Sequence, residues 1–342
     1  MTASAASALD LRSTRRGAFA RGIDGIEAGA EVNNISDLNA SALTGGSALV
    51  LSAAAEDDTG YSIRSGAGDD SIVGSAVADV VLTGSGTDTL VGGRGNDWLQ
   101  GEAGNDLFLV DTVDAQSGSD ADTFVGGAHS DTIAMTRDGV FHLEGSTLDS
   151  IEAIDFGAND QTVVVGVSQL TATGMASIEG GAGNDVLSLV GTNAVGGGIA
   201  INLSGLSIVR VESIQGTANG DSILGTNGAD SIYGMAGADT INAGLGADYV
   251  NAGSDNDLVV LSASHGVDTI VGGSHTAGGD TLRVDVSTDL TPLSISEIEN
   301  IVATAGTVTL NGAQANNVTL IADDSTSDQF YVLQDGTVAN VQ

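Results

Sequence analysis

The sequence predicts an all-β fold, a parallel β-roll or β-helix solenoid. Three features carry that expectation: aspartate recurs every nine residues in two long runs, an apolar residue stands two positions after each aspartate, and glycine crowds the intervening turns. One apolar position in nine cannot line a helix face, whereas a short strand closed by a turn presents it once per half-coil.

The first run starts at residue 65 as SGAGDDSIV, GSAVADVVL, TGSGTDTLV, GGRGNDWLQ and GEAGNDLFL. Its aspartates are Asp70, Asp79, Asp88, Asp97 and Asp106, followed by Ile72, Val81, Leu90, Leu99 and Phe108. The second run starts at residue 216, with Asp221, Asp230, Asp239, Asp248 and Asp257 followed by Ile223, Ile232, Ile241, Val250 and Val259. Single or stretched copies at Asp122, Asp131, Asp185, Asp268 and Asp280 read as edges or interruptions of the stacks.

A second motif lies between and after these runs: LEGSTLDSIEAI from Leu143, LSGLSIVRVESI from Leu203 and LTPLSISEIENI from Leu290. Its glutamates Glu152, Glu212 and Glu299 each sit between apolar residues, which suits a strand with one buried face and a solvent-facing glutamate. Short β-branched runs at 162–167, 199–203, 307–310 and 318–322 read as further strands. The organisation expected is an arginine-bearing arm with early strands (1–60), a first roll (61–134), an intervening β segment (135–215), a second roll (216–284) and a C-terminal β segment (285–342).

Composition limits the function. Fifty glycines, one proline and 3% aromatic residues in 342 imply a thin aliphatic core. A formal charge of −36 makes a compact state repel itself unless cations bind, and it excludes nucleic acid as a partner. All nine basic residues are arginine, four of them (Arg12, Arg15, Arg16, Arg21) near the start. Cysteine is absent, which permits an oxidising exterior. No stretch has the roughly 18 apolar residues that span a bilayer, and the first thirty residues lack the apolar run of a cleavable signal peptide.

Each nonamer divides into a six-residue turn ending in aspartate and a three-residue strand, so two nonamers make one coil. Asp70, Asp88 and Asp106 then stack on one edge and Asp79 and Asp97 on the other; Asp221, Asp239 and Asp257, and Asp230 and Asp248, do the same in the second run. Carboxylates at strand spacing, about 4.8 Å, require a cation. Calcium accepts six to eight oxygens from carboxylates and carbonyls, whereas magnesium demands tight octahedral geometry and zinc wants His or Cys. Glycine at the fourth position, as at Gly95, Gly228 and Gly246, lets the turn take positive φ and aim carbonyls at the metal. The ligands expected are Asp70, Asp79, Asp88, Asp97, Asp106, Asp122, Asp131, Asp185, Asp221, Asp230, Asp239, Asp248 and Asp257. Val77 and Asn219 occupy the fourth position before Asp79 and Asp221, which weakens those two.

These nonamers, GGRGNDWLQ and GGAGNDVLS above all, resemble the GGxGxDxUx repeats of the RTX (repeats-in-toxin) family. The resemblance implies a calcium-loaded parallel β-roll, export through a type I channel on an uncleaved C-terminal signal, and folding only in external calcium; residues 322–342 would carry the signal or else form an ordinary final strand. The mixture with glutamate-bearing segments looks like bacterial S-layer and surface-matrix proteins, implying an extracellular or cell-surface protein that assembles with itself. The arginine arm would dock on a neighbour's aspartate edge or on anionic cell-surface polysaccharide. The competing readings are a monomeric adhesin or carbohydrate- or ice-binding module, and a secreted carbohydrate-active enzyme. HExxH and GxSxG are both absent, so no enzyme is expected.

Overall fold

The computed structural model describes residues 26–27, 37–43, 48–54, 60–110, 121–171, 174–191, 197–262, 265–322, 329–334 and 337–341. The arginine arm (Arg12, Arg15, Arg16, Arg21) and part of the expected export signal lie outside them. The chain forms two compact units, Met1–Asp185 and Val186–Gln342.

The first unit winds between two parallel sheets. Ser62–Ala67 lies in one, Ser71–Val73 in the other, and Val80–Ser85 returns to the first, so consecutive nonamers alternate sheets. Leu51, Ile72, Leu90, Phe108, Ile133, Ile154 and Ile178 align rung on rung in the second sheet. Leu38, Ile63, Val81, Leu99, Phe124 and Leu148 align in the first. These residues are buried and form two apolar columns facing each other across the roll. The strand residues on either side of each, such as Ser71 and Val73, point outward, as the period of two requires.

The second unit repeats the plan. Ile223, Ile241, Val259, Leu282, Ile301 and Leu320 form one column, and Leu187, Ile214, Ile232, Val250, Ile270 and Ile295 the other. A further sheet pairs Thr288–Asp289, Thr307–Asn311 and Gln329–Gln334 in parallel and closes with Thr337–Val341 running antiparallel. The regular spacing is 18 residues per coil, and a longer spacing leaves the register intact: Phe124 pairs Leu99, 25 residues earlier. The copies at Asp122, Asp131, Asp268 and Asp280 are therefore rungs in register rather than interruptions.

The one α-helix among the described residues, Val167–Leu170, carries Gln169. Its amide binds the Leu143 and Ser146 carbonyls, and Gln314 does the same for Leu290 and Leu293. Both glutamines satisfy main-chain groups at the start of the glutamate-bearing motif, where the ladder pattern breaks.

Replacing Leu90, fully buried between Ile72 and Phe108, with alanine should cost about 2–5 kcal/mol in urea unfolding with calcium present. Trp98→Ala, at a position 48% exposed on the outer face, should cost under about 1 kcal/mol.

Candidate metal centre

The aspartates of each edge form a hydrogen-bonded ladder. Asp70 N–H donates to Asp88 Oδ1, Asp88 N–H to Asp106 Oδ1 and Asp106 N–H to Asp131 Oδ1, at 2.7–2.9 Å. On the other edge Asp79 donates to Asp97 and Asp97 to Asp122. In the second unit the order is Asp221, Asp239, Asp257, Asp280 on one edge and Asp230, Asp248, Asp268 on the other. Asp185 accepts the Gln161 N–H at 2.9 Å. All of these aspartates are buried.

One oxygen of each carboxylate that receives a ladder N–H thus holds the coils together. The other, Oδ2, has no hydrogen-bond partner at Asp70, Asp88, Asp106, Asp131, Asp239, Asp248, Asp257, Asp268 or Asp280. A buried carboxylate oxygen left unpaired is costly, which makes a cation the natural partner for this column. Burial pushes Asp88, Asp106 and Asp257 up to about 6, Asp248 to about 7 and Asp239 to about 8. Repulsion from neighbouring rungs adds to the effect, and the ladder N–H opposes it.

The first glycine of the nonamer fixes the room available. A Cβ on Gly216 would lie 2.5 Å from Asp221 Oδ2 and 2.8 Å from the Gly234 carbonyl oxygen. A methyl on Gly74 would likewise meet Asp79 Oδ2 and the Gly92 carbonyl, and one on Gly234 would meet Asp239 Oδ2 and the Ala252 carbonyl. These aspartates therefore share a small cradle with a carbonyl of the next coil, an all-oxygen set that fits calcium. Among the described residues no three His, Cys, Asp or Glu side chains gather in one place, so carbonyls would supply most of the ligands.

Three turns differ. Ser75, Thr217 and Thr226 occupy the second position, and their N–H groups donate to Oδ2 of Asp79, Asp221 and Asp230 at 2.6–2.7 Å. Their hydroxyls bond the same carboxylates. These aspartates cap their own turns and have no orphaned oxygen. Sequence reasoning placed the weakness of Asp79 and Asp221 at the fourth position, but the second position governs it: Gly228 is present before Asp230, yet Thr226 takes the carboxylate.

Of the three motif glutamates, Glu212 is exposed as expected and the other two differ. Glu152 and Glu299 sit in turns rather than as outward strand residues, and their Oε2 atoms accept the Asp131 and Asp280 N–H groups at 2.8 Å. They are the last rungs of two ladders. The signal was in the sequence, because each follows its aspartate by about one coil. Two histidines also approach the ladders. His265 Nδ1 lies 3.3 Å from Asp268 Oδ2, and His275 Nε2 lies 3.1 Å from Glu299 Oε1.

The raised aspartates fix how metal-free stability varies with pH. Their contribution is fully present below the unfolded value near 3.8 and is lost as pH rises through about 6 to 8. Thermal melts of calcium-free protein should therefore show Tm rising on acidification from pH 8.5 to 5.5, and falling over the same window once calcium replaces the protons. A calcium-free Tm that falls on acidification would contradict this. Asp239→Asn should stabilise the metal-free fold and weaken its calcium response. Asp230→Ala, which removes the acceptor of the Thr226 N–H, should destabilise both forms by about 1–3 kcal/mol.

A family model for the RTX calcium-binding nonapeptide repeat (4 copies) matches residues 62–81, 82–114, 111–134, 174–189 and 224–259. No curated protein matches the chain. The matched stretches contain the ladder aspartates other than Asp221, Asp268 and Asp280, and repeats of this kind bind calcium. The glutamate-bearing turns at Glu152 and Glu299 fall outside the matches. With its repeats, their parallel β-roll and its calcium cradles in agreement, the chain carries RTX calcium-binding nonapeptide repeats over these stretches.

Proposed function

We propose that this is a secreted structural protein that folds on external calcium and assembles with copies of itself into a surface layer, filament or extracellular matrix. The observation that carries the reading is the column of buried carboxylate oxygens without partners, in a chain of formal charge −36. Such a fold is held open by its own charge until cations enter, and extracellular calcium modules bind at about 10⁻⁴–10⁻³ M. The ligands in this reading are the ladder aspartates Asp70, Asp88, Asp97, Asp106, Asp122, Asp131, Asp185, Asp239, Asp248 and Asp257, with Asp268 and Asp280 added. Asp79, Asp221 and Asp230 contribute less, because their carboxylates already cap their own turns.

Two further features support assembly. Repeats and strand modules account for the described residues, so the roll itself is the working part. Among those residues, Thr319–Ala322 pairs on one side only and exposes Ile321 at 42%. An edge of that kind can add a strand from another copy. The arm with Arg12, Arg15, Arg16 and Arg21 would meet the aspartate edges of a neighbour or an anionic surface polysaccharide. Export in an unfolded state fits a chain that folds only when calcium is supplied outside the cell. The role is structural rather than catalytic.

Negative-stain electron microscopy of purified protein should show ordered sheets or filaments in millimolar calcium and none after chelation. Folded, monodisperse particles in calcium would contradict assembly while leaving calcium-coupled folding intact.

A further inference from the structure

We propose that the glutamate turn after the first aspartate run forms one more calcium seat, beyond the last nonapeptide, from Asp131, the Ser150 carbonyl and the Glu152 carboxylate. The inference rests on the reading that the ladder aspartates hold calcium.

In a regular coil the first glycine marks a point where two oxygens meet: Oδ2 of its own aspartate and the carbonyl of the first residue one coil later. At Gly234 these are Asp239 Oδ2 and the Ala252 oxygen. At Gly126 they are Asp131 Oδ2 and the Ser150 oxygen. Ser150 belongs to no nonapeptide, yet its carbonyl stands where the first residue of another repeat would place one. It does so because its backbone is left-handed, with φ 55°, a conformation shared by Arg210 and Glu297 at the same place in the other two copies of the motif.

Two residues later Glu152 Oε2 receives the Asp131 N–H at 2.8 Å, as the next aspartate does elsewhere in the ladder. A nonapeptide uses five residues to pass from its first position to its aspartate, and this turn uses two. The additional methylene of glutamate makes up the reach. Asp131 is fully buried, and its Oδ2 has no hydrogen-bond partner. Asp131 Oδ2 and the Ser150 carbonyl meet at this point, and the Glu152 carboxylate is bonded to the Asp131 main chain beside it; with no nitrogen or sulfur donor among them, the set matches a hard cation.

The Glu299 turn is an internal comparison. Asp280 Oδ2 and the Glu297 carbonyl meet at Gly272 in the same way. There, however, Glu299 Oε1 is bonded to His275 Nε2 at 3.1 Å, so that carboxylate already has a partner capable of positive charge. The seat is assigned to the Glu152 turn alone.

The test is native mass spectrometry of the full chain across a calcium titration, with circular dichroism to establish folding. Glu152→Gln keeps an oxygen for the Asp131 N–H while removing the charge. It should carry one calcium fewer than wild type, or bind that ion at least tenfold more weakly, whereas Glu299→Gln should retain the full number. Asp88→Asn, within the first ladder, reports on the underlying reading and should also lose calcium. Full occupancy in Glu152→Gln with loss in Asp88→Asn would overturn the seat and leave the ladder reading standing; full occupancy in both would overturn the ladder reading itself. Should Glu152→Gln fail to fold, Asp131→Asn, which preserves an acceptor for the Asp106 N–H, takes its place; full occupancy there would equally overturn the seat.

Discussion

The hydrogen bond from each aspartate N–H to the carboxylate one coil later is the interaction on which the rest of this structure depends. It fixes the rise of the roll, because a carboxylate oxygen can receive that N–H only when consecutive coils are in register. Register in turn stacks Ile72 on Leu90 and Ile241 on Val259, the columns that supply the core. The same bond requires every carboxylate to be buried beside the next. With so few aromatic residues to thicken the core, hydrophobic burial has little surplus to set against that cost. A cation on the second oxygen resolves the conflict, and the family to which the repeats belong binds calcium.

The ladders are not uniform along their length, and the differences follow local chemistry. At Asp79, Asp221 and Asp230 the carboxylate turns back onto a serine or threonine two residues into its own turn, which satisfies it without metal. All three lie early in their ladders. At the far end of two ladders a glutamate supplies the last acceptor, and Gln169 and Gln314 bind the carbonyls that the change of pattern exposes. Most of the other rungs, from Asp70 onward, have unpartnered oxygens, and there calcium has most to stabilise.

Much of this was legible in the sequence. The nine-residue period of Asp and the apolar residue two positions on determine the coil length, the two stacks on each roll and the buried columns, because a strand rung admits little else. The stretched copies were harder to place, since spacing alone does not say whether extra residues interrupt the stack; Asp122 and Asp131 sit 25 residues after Asp97 and Asp106 and still keep their rungs. Glu152 and Glu299 were misplaced because alternation with apolar neighbours mimics a strand, whereas a left-handed residue two positions earlier turns each carboxylate into the ladder. Self-capping of Asp230 was missed for a similar reason: it depends on the hydroxyl of Thr226 rather than on the glycine count.

The central claim is that calcium, by neutralising the ladder, makes this fold stable. Amide hydrogen exchange at the ladder N–H groups of Asp70, Asp88, Asp106, Asp239 and Asp257, with calcium and with chelator at one neutral pH, tests it most directly. The account predicts strong protection of these amides in calcium and its loss in chelator, in both aspartate runs. Equal protection under both conditions would show that the carboxylate ladder stands without a cation and would contradict the account.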